Sequence, residues 1–368
     1  MEEAVIFIFD AKAGMKLSAD VFSQEGNLLV KKDTVLDWKS ISDISSHQVL
    51  EIKIYDENAS TNSDVPKVEE SEESIQYFDK IRQSEDFKVF EEKFEKSVDV
   101  LKEEFKSIVE DHKEIDTNKI LNSPMDIINS SSNSNSFRLL DMIHSMRKYD
   151  DLTYVHSLNV ALIASVLGRW LGIKDEDEKN LFVAGMLHDI GKVKIPKEIL
   201  TKPGKLTDNE YSIMKKHVNL GYEILRDQNI IQEAKEACLL HHERYDGTGY
   251  PFGLVGNKIP YVARVMAVAD VYDAMTANRV YRKAICPFQV VEMMHADTFS
   301  KYDPAIALSF LKNIVSSYIN NDIRLSDGRV GRVVIINENA LSRPIVMIGD
   351  ELVDMVKHPE IEITAIIN

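Results

Sequence analysis

Between His156 and Asp270 the chain repeatedly carries an apolar, helix-like run into an imidazole or a carboxylate. Leu181-Phe182-Val183-Ala184-Gly185-Met186-Leu187 leads directly into His188-Asp189. Ile231, Ala234, Cys238 and His241 share one helical face, which puts His241 at the buried end of its helix. His242 then points about 100° away around the axis. Asp270 follows Val265-Met266-Ala267-Val268-Ala269, and His156 lies in a helix whose apolar face includes Val155, Leu158, Leu162, Val166 and Trp170. A buried, unpaired carboxylate is costly, so Asp189 and Asp270 each require a partner or a cation. Neutral imidazoles with carboxylates suit a first-row divalent metal. Five of the 10 histidines fall in this span. Any one of them alone reads best as a structural core histidine.

Around these residues the chain divides by composition. Its 368 residues are enough for two or three domains, and a hydrophobic fraction of 44% permits an ordinary core. Residues 1–56 read as a small β-rich module: Ala4–Phe9, Leu28–Val30 and Leu50–Tyr55 are strand-like, with a turn at Gly26-Asn27. Residues 57–74 form an acidic linker, and 75–136 a helical connector with an Asn/Ser-rich break at 129–136. In the connector, Phe87, Phe94, Leu101 and Ile108 recur every seven residues, with Phe90, Val98 and Phe105 beside them. The 75–114 stripe suits a helix packed on its own domain or a homodimeric coiled coil. The packed helix comes first, because the second seam position degrades to Ser97 and Glu104. A helical core follows at 137–320. In it, Thr207-Asp208-Asn209-Glu210 is a capping box, opening a helix predicted to close at His217. Residues 321–368 read as a C-terminal β extension: a hairpin turning at Asp327-Gly328, then Pro344–Ile348 and Ile361–Thr364.

A net charge of −16 argues against a DNA or RNA polymer and against a membrane surface as partner. A small anionic substrate remains compatible, because metals and local basic residues can reverse the sign inside a cleft. Two cysteines, Cys238 and Cys286, fit a reducing cytoplasm. The Met-Glu-Glu start lacks the basic region of a signal peptide, and no apolar run is long enough to span a membrane.

The series His156, His188-Asp189, His217, His241-His242-Glu243-Arg244-Tyr245-Asp246-Gly247-Thr248-Gly249-Tyr250-Pro251 and Val268-Ala269-Asp270-Val271-Tyr272-Asp273-Ala274-Met275-Thr276 resembles the HD-GYP family. These are bacterial metal-dependent phosphodiesterases of cyclic dinucleotides, above all cyclic di-GMP. The resemblance runs from about Tyr149 to about Leu311. It implies a mainly α fold: an all-helical HD-type phosphohydrolase core flanked by the two small β regions. It implies a ligand shell of His156, His188, Asp189, His217, His241, His242 and Asp270 for two divalent ions, Fe or Mn. In the family the aspartate matching Asp189 bridges two metals, close enough to share a hydroxide.

Lys192, after a short glycine turn, is expected to reach the phosphate and to act with Asp189 in catalysis. Gly249, Tyr250 and Pro251, then Arg279, Tyr281, Arg282 and Lys283, are the expected substrate contacts. Asp273 is expected to orient a ligand or Lys192. The implied reaction converts cyclic di-GMP to linear pGpG, with GMP as a further product. A catalytically weak receptor, or a hydrolase of another nucleotide such as cyclic GMP-AMP, is the alternative. Two positions depart from the family. Leu152 stands where some members carry a glutamate that helps hold a third metal, which favours two ions. Val280 replaces the proline usual between Arg279 and Tyr281, which loosens that loop.

Overall fold

The computed structural model describes residues 2–7, 11, 14–22, 28–36, 40, 44, 51–56, 72–111, 113–122, 127, 136–146, 152–202, 206–276 and 286–367. The chain forms two compact units, Met1–Val68 and Glu69–Asn368.

In the first unit, β1 (Glu2–Phe7) pairs antiparallel with β4 (Glu51–Asp56), from Glu2 opposite Asp56 to Phe7 opposite Glu51. A second antiparallel pair joins β2 (Val21–Phe22) to β3 (Leu28–Val30). The period-two pattern of β4 works as strand chemistry dictates: Ile52 and Ile54 are buried while Lys53 is exposed. They join Leu17, Val21, Leu36 and Ile44 in a small core. The expected turn at Gly26-Asn27 and the end of the first strand at Ile8-Phe9 lie outside the described residues.

Up to residue 316 the regular elements described in the second unit are helices. The connector forms two helices rather than one, α1 (Glu72–Gln83) and α2 (Glu85–Asp111). Ser84 makes the joint: its hydroxyl donates to Ile81 O (2.7 Å) and accepts the Phe87 N–H (3.2 Å). The heptad stripe Phe87, Phe90, Phe94, Leu101, Phe105 and Ile108 is buried in the chain's own core. The two polar seam positions are buried with it. Ser97 Oγ donates to Lys93 O at 2.7 Å, and the Glu104 carboxylate accepts from Lys119 at 2.6 Å. The linker and the Asn/Ser-rich break fall largely outside the described residues.

Next come α3 (Ser136–Ser145), α4 (Leu152–Trp170) and α5 (Asp175–Leu187). A short 3-10 turn at Ile190–Lys194 leads to α6 (Lys197–Leu200) and α7 (Asp208–Met214). The helices α8 (His217–Leu225), α9 (Gln232–Leu240), α10 (Tyr261–Thr276), α11 (Pro287–Asp297) and α12 (Pro304–Ser316) follow. α4 packs on both α5 and α10, and α9 packs on α5, α8 and α10.

Two glycines permit the closest of these approaches. A Cβ at Gly185 would lie 2.5 Å from Ala161 Cα, and one at Gly191 would lie 1.9 Å from His217 O. α4 and α5 can therefore approach backbone to backbone, and the turn after His188-Asp189 can lie against the start of α8.

The C-terminal region is a five-stranded antiparallel sheet: β5 (Asp322–Leu325), β6 (Val330–Ile335), β7 (Ile345–Ile348), β8 (Glu351–Asp354) and β9 (Ile363–Ile366), in order β8-β7-β6-β5-β9. The hairpin and two further strands match the sequence expectation. The strand β8 does not: Glu351-Leu352-Val353-Asp354 buries only Val353, so it carries almost no apolar signal. The sheet buries Ile323, Leu325, Val333, Val346 and Ile363 against the helical core. Among the described residues no helix is long and apolar enough to cross a membrane.

Candidate metal centre

The elements of the helical unit converge on Asp189. This residue follows His188, the C-cap of α5, and is 1% exposed. Its two carboxylate oxygens face two different groups. Asp189 Oδ2 lies 3.4 Å from His156 Nε2 and 3.3 Å from His188 Nε2, and it also pairs with Lys192 Nζ. Asp189 Oδ1 lies 3.3 Å from His217 Nε2 and 3.8 Å from His241 Nε2. Asp270 closes the first group, with Oδ1 3.0 Å from His156 Nε2, and reaches the second, with Oδ2 3.8 Å from His242 Nδ1. The ligand-type atoms of His156, His188 and Asp270 lie within 4.8 Å of one another, as do those of His217, His241 and His242.

Backbone carbonyls set the imidazole tautomers. Nδ1 of His188 donates to Gly185 O (2.7 Å), Nδ1 of His217 to Met214 O (2.8 Å) and Nδ1 of His241 to Ala237 O (2.9 Å). Each ring therefore keeps its Nε2 lone pair free toward the centre. His156 uses a carboxylate instead: its Nδ1 lies 2.6 Å from Asp273 Oδ2. Asp273 thus orients a ligand-type histidine, whereas Lys192 pairs with Asp189.

A cation fits these donors. His188 Nε2 and Asp189 Oδ1 are buried without a hydrogen-bond partner. Nε2 of His217 and of His241 face each other at 3.5 Å, two acceptors with no proton between them in the tautomers just described. Buried acceptors without a donor are destabilising, and a divalent ion would relieve that.

The electrostatics differ across the centre. Burial pushes the His156 imidazole down, but hydrogen bonds to Asp270 and Asp273 outweigh it and raise its pKa to about 9. On the other side, burial and the neighbouring His188 lower His241 to about 3. Burial likewise lowers His217, and burial with His241 lowers His242 well below the usual range. Burial would raise Asp189, yet Lys192 and His188 hold it well below the carboxylate range. For Asp270, burial is outweighed by His156 and His242.

Sequence spacing misplaced one of these residues. His217 does not close the capped helix; it opens the next one. The capping box forms, with Glu210 N donating to Thr207 Oγ1 (3.3 Å) and Thr207 N to the Glu210 carboxylate (2.7 Å). The helix then ends at Met214, whose carbonyl accepts a hydrogen bond from His217 Nδ1–H.

The loop after His242 lies against the centre. Tyr250 stacks on the His242 ring (4.8 Å between centroids, 30°), and Tyr250 N donates to His242 O at 3.2 Å. The Tyr250–Pro251 peptide is cis. Gly247 has φ +85°, as the expected glycine turn requires. Gly249 is required for a different reason: a Cβ there would meet Arg244 N at 2.3 Å and Glu243 Cα at 2.5 Å.

Glu243, which sequence reasoning did not select, holds this loop. Its buried carboxylate accepts Phe252 N (2.8 Å) and Leu254 N (2.9 Å). The available signal was a carboxylate within the motif; its burial and partners depend on the loop's return path. Arg279, Tyr281, Arg282 and Lys283 lie outside the described residues.

The chain is similar to several known proteins. Residues 125–306 match the HD domain family model. A cyclic di-GMP phosphodiesterase of Pseudomonas aeruginosa is 37% identical over 211 residues, 57% of this chain and 50% of that protein. The cyclic di-GMP phosphodiesterase response regulator RpfG of Xanthomonas campestris is 42% identical over 152 residues, 41% of this chain and 40% of that protein. A 3'3'-cGAMP-specific phosphodiesterase of Vibrio cholerae is 39% identical over 163 residues, 44% of this chain and 31% of that protein. The chain thus spans half or less of the length of these relatives. An HDG"Y"P protein from Bdellovibrio bacteriovorus shares the fold, with a TM-score of 0.50 at 14% identity over 84% of this chain and 98% of that one. Residues 125–306, which carry His188-Asp189 and Gly249-Tyr250-Pro251, are thus similar to the HD domain family and to these phosphodiesterases.

Proposed function

We propose that this protein is a metal-dependent phosphodiesterase that opens cyclic di-GMP to linear pGpG, with GMP as a further product. The observation that carries the reading is Asp189, whose two oxygens face two separate imidazole groups among buried, unpartnered acceptors. In this reading His156, His188, Asp189 and Asp270 would hold one divalent ion, and Asp189, His217, His241 and His242 a second. Fe and Mn both suit the donor set. Leucine at position 152 offers no ligand for a third ion, which favours two.

Ions bound there would supply Lewis acidity toward the phosphoryl oxygens and make a nucleophile available from water near neutral pH. The chain's own residues do the rest. Asp189 and Asp270 would offset part of the ions' charge. Lys192, 21% exposed and beside Asp189, is placed to neutralise a phosphate oxygen as charge develops on it. Gly249 allows Tyr250 to lie against His242, and Tyr250 and Pro251 give the substrate a rigid edge. Arg279, Tyr281, Arg282 and Lys283 would complete the substrate contacts. Arg282→Ala should chiefly raise KM, since a guanidinium on phosphate or guanine acts before and during reaction alike.

Cyclic GMP-AMP is a second substrate reading, favoured by the likeness to the Vibrio cholerae enzyme. A receptor that binds cyclic di-GMP without cleaving it has no use for so complete a ligand set. The free thiols of Cys238 and Cys286 support a cytoplasmic setting. The apolar stripe of α2 is already buried in its own chain, so its support goes to a packed helix rather than to a homodimer through 75–114.

The test is anaerobic purification, metal analysis, and chromatography of products from cyclic di-GMP and cyclic GMP-AMP. About two ions per chain and linear pGpG are expected. Metal-loaded protein that binds cyclic di-GMP and releases no product would overturn the enzyme reading in favour of the receptor.

A further inference from the structure

Lys215 lies two residues before His217, at the C-cap of α7, outside every motif that the proposed function uses. Its ammonium is 5.1 Å from the centre of the Tyr211 ring and 5.8 Å from that of Tyr250. Tyr250 in turn stacks on His242. A continuous contact therefore runs from the candidate metal centre through Tyr250 to a lysine, and from there to the exposed Tyr211.

No carboxylate lies within ion-pair distance of Lys215 among the described residues, although the chain has 60 acidic residues. Other lysines of this region have found one. Lys192 pairs with Asp189, Lys202 with Glu210 at 2.6 Å, and Lys301 with Asp297 at 2.8 Å. Tyr211 and Lys215 are also one helical turn apart, a spacing that brings their side chains together on any helix. That spacing accounts for the Tyr211 contact. It does not account for Tyr250, which arrives from a different loop and brings a second ring to the same ammonium.

A cation between two aromatic faces, next to a centre that handles phosphodiesters, is chemically matched to an anion carried by a planar, stackable ligand. A cyclic dinucleotide has two phosphates, and only one can be under attack at a time. Resting on the functional reading above, we infer that Tyr211, Lys215 and Tyr250 form a subsite for the second, non-reacting phosphate and its adjoining nucleoside. This subsite would make the protein prefer a two-phosphate ring over a simple phosphodiester.

The experiment compares metal-loaded wild type, Lys215→Gln and Lys215→Arg on cyclic di-GMP and on bis(p-nitrophenyl) phosphate, which has one phosphate. With metal content unchanged, Lys215→Gln should lower the ratio of kcat/KM for the dinucleotide over the small diester about tenfold, mainly through KM, as expected for loss of one charge-assisted contact. Lys215→Arg should restore most of it. An equal fall on both substrates, or loss of metal, would show that Lys215 merely supports His217 and would overturn the subsite. An unchanged ratio in an active enzyme would remove the subsite alone. Wild type that cleaves the small diester but neither binds nor cleaves a cyclic dinucleotide would remove the functional reading, and the subsite with it.

Discussion

The two sides of the candidate metal centre are built from similar donors but tuned in opposite directions. On one side His156 lies between Asp270 and Asp273, and its pKa is raised to about 9. On the other, burial among imidazoles lowers His217 and His242 and brings His241 to about 3. The difference teaches what each side must do to take an ion. The carboxylate side has to give up a proton first. The imidazole side presents neutral lone pairs already. Asp189 belongs to both.

The strongest way to break this comparison is to remove the shared residue. Asp189→Ala should lose both ions and all phosphodiesterase activity while the helical core stays folded. Circular dichroism, metal analysis and product chromatography would check it. Retained turnover in a metal-loaded mutant would mean that the two sides do not depend on a common bridge.

The next largest effect is on pH. In the metal-free protein His156 should hold its proton below about pH 9. Metal affinity on its side should therefore rise about tenfold per pH unit below that value. On the imidazole side His241, lowered to about 3, should add no such dependence between pH 6 and 8. Calorimetric titration with Mn²⁺ in buffers of different ionisation enthalpy would count the proton released. The metal-free fold should respond with opposite signs on the two sides. The His156 contribution is fully present below its unfolded pKa of about 6.5 and fades as pH rises toward 9. The buried neutral His241 contributes above about 6.5 and loses that contribution as pH falls toward 3.

Asp273→Asn sharpens the comparison from one side only. Its carboxylate orients His156, so affinity for a single ion should fall about tenfold or more. The Mn²⁺ electron paramagnetic resonance spectrum should then shift from a coupled pair toward an isolated ion. Equal loss of both ions would erase the distinction between the sides.

A smaller change is expected from Lys192→Ala: metal content kept and turnover reduced on the order of tenfold, because the lysine is assigned to developing charge rather than to an ion. The smallest belongs to Glu243→Gln. The amide can still accept one of the two loop N–H groups, so KM should rise a few-fold and stability fall by about 1 kcal/mol. A thermal melt and a kinetic titration would report both, and unchanged kinetics would show that Tyr250 does not need its loop anchored.

Much of the site was legible because its residues sit where local pattern is strongest. An apolar helix that ends in His188-Asp189, or one that contains Asp270, exposes a conflict between burial and charge on the sequence itself. The N- and C-terminal strands were legible where Ile52 and Ile54, or Ile323 and Leu325, alternate with polar neighbours. Legibility failed where meaning comes from a distant segment. His217 shows no sign that its helix will break at Met214 and restart. Glu243 and Lys215 read as two more charged residues in a chain with many. The strand β8 is held by pairing with β7, and its own side chains barely mark it.

By itself the sequence determined the helical class of the core, the donor types and their order along the chain, because burial periodicity and ionisable chemistry are properties of each segment. Only the tertiary structure decided which oxygen of Asp189 faces which histidine, that Asp273 serves His156, and that Gly249 is a close contact rather than a special turn. Those outcomes depend on several helix ends and one loop arriving within hydrogen-bonding distance of the same point. Distance across the fold is set by the packing of whole helices, which no single segment encodes.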